Sequence, residues 1–245
     1  FLPGVPREAH AMFRSLIDGL NAGAPATKEV AVFGLRETEI ARRLGALAPR
    51  CGYLPREMEV AVIVPVEIED DVRRILAPFA LEKEDLNASV ADLLKTRGLS
   101  LATAESCTGG LIAHLVTQLP GSSEYFLGSV VSYSNGVKTG LLKVPEEVIS
   151  RHGAVSRETA VSMLKGIIDL TGADLGIATT GIAGPSGGSP GKPIGTVWIA
   201  AGQRDDLVAK DFRFGFDRQG NKMIFAKTAL FLLRTYIHDT DIRGH

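Results

Sequence analysis

Apolar residues are spaced in two different ways along this chain, and the pattern changes near residue 86. Before that point Glu29 to Phe33 and Met58 to Val66 are rich in β-formers, and each predicts a strand. Ile40, Ala41, Leu44 and Leu47 fall on one face of a helix, and Val72, Ile75 and Leu76 on one face of another between Asp70 and Phe79. Together they describe a small α/β module over residues 26–85, near the lower size limit for independent folding. Ahead of it, Arg7 to Leu20 reads as a helix and residues 21–27 as a turn-rich linker. The opening Phe1-Leu2-Pro3-Gly4-Val5-Pro6 reads as the end of a larger upstream unit, so residues 1–25 are assigned to a remnant of it.

From Leu86 helices and strands alternate. A helix from Ser89 to Arg97 stops at Gly98, a strand covers Leu99 to Ala104, and a helix runs from Gly109 to Leu119 before Pro120-Gly121. Ser129 to Ser134 predicts a strand and Asn135 to Leu142 a short helix. Ser156 is placed to N-cap a helix from Arg157 to Leu170. Leu175 to Thr180, Thr196 to Ala201 and Leu207 to Phe214 predict strands, and a long helix closes the chain from about Arg218 to Ile237. Helices between strands imply a sheet covered on both faces, a three-layer α/β/α sandwich over residues 86–245. The last three strands lack intervening helices, so the sheet is expected to be mixed.

Composition narrows the class without naming a chemistry. The chain of 245 residues has a net charge of -1, which gives no general attraction to nucleic acid or anionic lipid. The small module holds 9 Lys and Arg against 11 Asp and Glu in residues 28–84 and no Gly-x-x-Gly clamp, which argues against RNA binding there. No run approaches the ~20 apolar residues that span a bilayer. Cys51 and Cys107 are far apart and form neither a ligand nor a disulfide pattern, so they read as reduced thiols of a cytoplasmic protein.

Three segments carry candidate chemistry. Ala104-Glu-Ser-Cys-Thr-Gly-Gly110 sits on a strand-to-helix turn, where Ser106 would meet the positive end of the helix dipole. Thr108, Gly109 and Gly110 would leave backbone N–H groups open to an anion or oxyanion. A plain N-cap explains the same serine, and Cys107 is an alternative nucleophile. The five histidines lack a convincing partner, so a serine here would need a lysine as base, and Lys138 follows an apolar strand where burial would lower its pKa. Tyr133 and Asn135 beside it supply hydrogen bonds, and Ser123 lies one segment earlier. The third segment is the glycine-rich stretch of residues 181–195, which fits neither a phosphate loop nor a dinucleotide fingerprint and reads as a loop over a pocket. Arg218, at the start of the last helix, suits a phosphate. No cluster of ligands at metal spacing occurs in the C-terminal region, so neither metal nor cofactor is expected.

These segments, with Pro120-Gly-Ser-Ser123, Val131-Ser-Tyr-Ser-Asn135, His152-Gly-Ala-Val-Ser156, Thr180-Gly-Ile-Ala-Gly-Pro185 and Lys192-Pro-Ile-Gly-Thr-Val197, resemble the CinA C-terminal family of nicotinamide mononucleotide amidohydrolases. Pro3-Gly-Val-Pro-Arg-Glu8 is similar to the end of that family's molybdopterin-binding-like N-terminal domain, and Gly34-Leu-Arg-Glu-Thr38 to its KH-like middle domain. The resemblance implies hydrolysis of the carboxamide of nicotinamide mononucleotide by a serine and lysine pair, Ser106 and Lys138, with Ser123 as an alternative serine. It implies a pocket lined by Ser123, Tyr133, Asn135, Thr180, Gly181 and Arg218, a phosphorylated nucleotide as substrate, and a homodimer. A second arginine usual in the family is Lys222 here. Ile224, Ala226, Ala229, Leu230 and Leu233 give the last helix more apolar surface than one face needs, a surplus expected either to cover the sheet or to meet a second subunit. A nucleotide-binding module without turnover, or an amidase for another substrate, is the alternative.

Overall fold

The computed structural model describes residues 26–243 and contains two sheets. The first is antiparallel, in the order β1-β3-β2, from β1 (Thr27–Phe33), β2 (Gly52–Arg56) and β3 (Glu59–Pro65). Two helices, α1 (Glu37–Leu44) and α2 (Glu69–Leu76), cover one face through Ile40, Leu44, Val72 and Leu76, which pack on Val30, Val32, Val60, Val62 and Val64. The strand β2 was not foreseen, because Gly-Tyr-Leu-Pro-Arg has neither alternation nor β-branched residues. It forms by pairing with β3 through Gly52↔Ile63 to Arg56↔Glu59. The helix and linker expected within residues 1–25 lie outside the described residues.

The second sheet has the order β5-β4-β6-β7-β8, from β4 (Leu101–Glu105), β5 (Phe126–Val131), β6 (Leu175–Gly181), β7 (Thr196–Gly202) and β8 (Leu207–Arg213). Strands β5, β4 and β6 run parallel, while β7 and β8 join antiparallel, giving the mixed sheet that the pattern predicted. On β7 the side chains of Val197, Ile199 and Ala201 enter one core and those of Trp198 and Ala200 the other, the period of two expected of a sheet buried on both faces. The helix α7 (Arg157–Thr171) covers one face, and α3 (Leu86–Arg97), α4 (Leu111–Thr117) and α8 (Arg218–Arg243) cover the other, so the region is a three-layer sandwich. Two short helices, α5 (Asn135–Gly140) and α6 (Glu146–His152), link β5 to α7. Asp85 caps α3 by accepting from Ala88 N–H, which starts that helix at Leu86 rather than at Ser89. The strand β5 begins three residues earlier than the pattern placed it and ends at Val131.

Strand order decides where a ligand can sit. The chain leaves β4 through α4 on one face to reach β5, then returns through α7 on the opposite face to β6 on the other side of β4. The connections therefore part at the carboxyl ends of β4 and β6, the place where open α/β sheets form a crevice.

The surplus apolar surface of α8 is covered within the chain itself, by the large sheet as one of the two alternatives had it and also by the small module. One side packs on the large sheet through Phe225, Ala229 and Leu233. The other meets the small module, where Phe231 lies 5.1 Å from the Phe33 ring and 6.3 Å from the Phe79 ring, centroid to centroid. Lys227 donates to Glu59 at 2.6 Å and to the Glu57 carbonyl at 2.9 Å, and both charged side chains are buried. Arg234 donates to the Pro78 and Ala80 carbonyls at 2.8 Å and to the Glu82 carboxylate. Removing one partner of a buried pair such as Lys227 and Glu59 typically costs about 3–5 kcal/mol.

The packing of α7 on the segment after α5 yields a test. A Cβ at Gly166 would lie 1.9 Å from the Leu142 carbonyl oxygen. Helix propensity alone would make Gly166→Ala stabilising by about 1 kcal/mol. The close approach reverses the sign, and a loss of about 1–3 kcal/mol is expected, read as a lower urea midpoint at unchanged slope. A midpoint equal to or above that of the parent would show that α7 does not press on this segment.

Candidate active site

At the carboxyl end of β4 the backbone turns sharply. Ser106 N–H continues the parallel ladder to the Thr179 carbonyl at 3.0 Å, and Gly109 N–H closes the turn on the Ser106 carbonyl at 3.2 Å. The next turn is stabilised from inside: Glu105, fully buried, accepts from Gly110 and Ile112 N–H at 3.0 and 3.1 Å and from Ala113 N–H at 2.9 Å. These are the unpaired donors of the first turn of α4. The sequence reading left such groups open to a ligand, and this is corrected: a carboxylate of the chain itself occupies them. Thr108 is likewise buried, its hydroxyl 2.8 Å from that of Thr179, and Thr108, Gly109 and Gly110 lie outside the pocket lining.

Ser106 is half-buried and faces the cavity, and Lys138 comes to it from α5. Ser134 caps that helix by accepting from Val137 N–H at 3.3 Å. Lys138, only 1% exposed, runs inward to place Nζ 2.6 Å from the Ser132 carbonyl oxygen and 3.1 Å from Ser106 Oγ. Ser132 N–H in turn donates to the Glu105 carbonyl at 2.7 Å, so the pair is closed into a ring through the end of the sheet. Burial lowers the pKa of Lys138 below the ordinary lysine value, the Cys107 thiol pulling weakly the other way. Burial pushes the Cys107 thiol up to about 12, so this cysteine holds its proton at neutral pH. Ser106, by contrast, has a candidate base within hydrogen-bond reach, Lys138 Nζ at 3.1 Å.

The pocket has a volume of about 280 Å³ and lies in the crevice that the strand order creates. Ser106, Lys138, Tyr133, Asn135, Thr180, Gly181 and Arg218 line it, with the glycine-rich loop as its far wall. Thr180 is buried and donates through Oγ1 to the Ala154 carbonyl at 2.6 Å, which draws the 153–156 segment to the cavity edge. At Gly181 a Cβ would lie 2.5 Å from the Thr196 carbonyl oxygen, so no side chain fits there. Across the mouth Arg218 donates to the Tyr133 hydroxyl at 2.9 Å and to the Gly184 carbonyl, joining both walls. Asn221, one turn further along α8 and fully buried, donates to the Ala183 and Phe216 carbonyls at 3.0 and 2.9 Å.

Ser123 is the candidate that the structure keeps apart. It sits in the 3₁₀ turn Ser122–Glu124 ahead of β5, at the amino end of the parallel strands, while Ser106 follows the carboxyl end of β4. Lys222 also stays outside the lining, its Nζ 3.5 Å from where a Gly109 Cβ would lie. Glu105 and Asn221 were missed as participants. An acidic residue immediately before a strand-to-helix turn was the available signal for Glu105. Nothing local in the sequence marked Asn221, whose acceptors come from two separate loops.

Among the described residues no group of three or more His, Cys, Asp or Glu could hold a metal ion, and no helix is long and apolar enough to cross a membrane. Comparison with known proteins adds the lineage. Residues 83–237 match the family model of the CinA C-terminal domain. A CinA-like protein of Geobacter metallireducens is 40% identical over 260 residues, covering 96% of this chain and 63% of the relative. The chain spans 57–63% of the length of such relatives. Among solved structures, the competence/damage inducible protein CihA from Agrobacterium tumefaciens aligns with a TM-score of 0.60 at 38% identity, covering 62% of this chain and 93% of that one. A CinA superfamily protein from Klebsiella pneumoniae aligns with a TM-score of 0.61 at 36% identity, covering 63% and 96%. A match over most of the chain's length, on the sandwich that builds the pocket, shows that this chain belongs to the CinA family.

Proposed function

We propose that the chain is an amidohydrolase that converts nicotinamide mononucleotide and water into nicotinate mononucleotide and ammonia. The observation that carries this reading is the buried Lys138, 3.1 Å from Ser106 Oγ with its charge disfavoured by burial. Burial that disfavours the charged form suits a lysine so placed to accept a proton. Ser106 Oγ attacks the carboxamide carbon as Lys138 takes its proton. Collapse breaks the carbon–nitrogen bond, and the proton held by Lys138 leaves with ammonia. Water then attacks the resulting ester, Lys138 again accepting a proton and returning it to Ser106. Arg218, planar and at the mouth, receives the substrate phosphate. The family resemblance supports the choice of substrate, and the chemistry needs neither cofactor nor metal.

The direct test is ammonia release from nicotinamide mononucleotide. Turnover is expected and is expected to be unchanged by a chelator; binding without ammonia would favour a silent nucleotide-binding module, and loss on chelation would require a metal.

Ser106→Ala is expected to lower kcat by about 10³-fold or more with the fold intact by circular dichroism, while Cys107→Ala retains most activity. Reversal of that order would move the nucleophile to Cys107.

The rate should rise with pH along a limb set by Lys138, because only its neutral amine accepts the Ser106 proton, and that limb should lie below the ordinary lysine range. Lys138→Arg keeps the charge but holds its proton, so it should be nearly inactive across the accessible pH range. Substantial activity in that variant would leave Lys138 an electrostatic role only.

A further inference from the structure

Glu105 takes no part in the chemistry above, yet it is fully buried one residue before the proposed nucleophile. Its partners are backbone N–H groups rather than a cation: Oε2 accepts from Gly110 and Ile112, and Oε1 from Ala113. The hydroxyls of Thr103 and Ser129 stand 3.5 Å from Oε1 and 2.8 Å from each other. A buried carboxylate held this way is costly unless both oxygens are satisfied. Both oxygens face N–H donors, so a neutral amide at this position would set its own NH₂ against one of them. The arrangement therefore asks for a charged acceptor with two equivalent oxygens.

The position of those bonds gives the carboxylate its role. Residues 106–109 form the whole span between the end of β4 and the first pinned amide of α4, and one side chain ties the two ends together. The Glu105 carbonyl fixes the other partner too, since it accepts from Ser132 N–H, and the Ser132 carbonyl accepts from Lys138 Nζ. We infer that Glu105 is a positioning residue that holds Ser106 Oγ within hydrogen-bond reach of Lys138 Nζ by clamping the start of α4 to the end of β4. Its negative charge is held in the protein interior, facing the amides of α4 and not the cavity. It shapes the turn and leaves recognition of the substrate to the other wall.

The proposal rests on Ser106 being the nucleophile, and the test separates the two ideas. Glu105→Gln is expected to lower kcat for nicotinamide mononucleotide by about 10²-fold, with KM changed by less than about 3-fold, as follows from a small misplacement of a reacting group. Binding of nicotinate mononucleotide, followed by calorimetry, should stay within about 3-fold of the parent. Modification of Ser106 by phenylmethanesulfonyl fluoride, followed by mass spectrometry, should slow in parallel with kcat. A crystal structure of the variant should show Ser106 Oγ displaced from Lys138 Nζ beyond hydrogen-bond distance. An unchanged separation overturns the proposal whatever Ser106 does chemically, as does a loss expressed in KM alone. A displaced serine in a variant of normal activity would sink the nucleophile assignment and leave the clamp standing. Should Glu105→Gln not fold, Thr103→Val removes one hydroxyl beside Oε1 and keeps the charge. It should give a smaller loss of about 3–10-fold in kcat, and no loss there would count against the clamp.

Discussion

The site depends on one unbalanced burial. Lys138 is taken out of water beside two oxygen atoms that carry no full charge, the Ser106 hydroxyl and the Ser132 carbonyl. A carboxylate in that place would have kept the lysine protonated. The only nearby carboxylate in the turn, Glu105, is turned to the amides of α4 and spent on a helix end. The two groups are thereby kept apart: Glu105 faces the amides of α4, and Lys138 faces Ser106 and the cavity.

Everything else around the pocket restricts how that pair can move. The β4–β5 ladder ends in the bond from Ser132 to Glu105, and the β4–β6 ladder ends in the bond from Ser106 to Thr179. The segment after α5 is pressed against Gly166, where no side chain can intervene. Arg218 and Asn221 hold the glycine-rich loop from the start of α8. Ser106 thus follows a strand end and Lys138 projects from a short helix bonded to one, while the opposite wall of the pocket is a loop fastened by side chains.

Much of this was legible before any coordinates. The alternation of strands and helices after Leu86, the mixed sheet and the start of the last helix follow from periodicity and from where glycine and proline fall, although that helix runs on to Arg243 rather than ending at Ile237. Ser106 and Lys138 were readable because a serine at a strand-to-helix turn and a lysine after an apolar strand each have a local signature. Ser123 was not set apart from them because the sequence placed it before a strand without showing that this strand runs parallel to β4, which is what puts its amino end away from Ser106. The strand β2 was invisible because its sequence has no β preference and its pairing is supplied by β3. Glu105 and Asn221 were missed for a related reason: their partners are backbone atoms, which leave no trace in residue type.

The helix α8 serves two masters along its length. Its first turn grips the loop, and its middle carries Lys227, Phe231 and Arg234 against the small sheet. The solved relatives align over 93–96% of their own length and 62–63% of this chain. In this chain a buried lysine, an aromatic wedge and an arginine aimed at carbonyls lie along one stripe of the same helix whose start holds the pocket loop. One continuous rod of backbone therefore carries any tilt of the small module to the wall of the pocket.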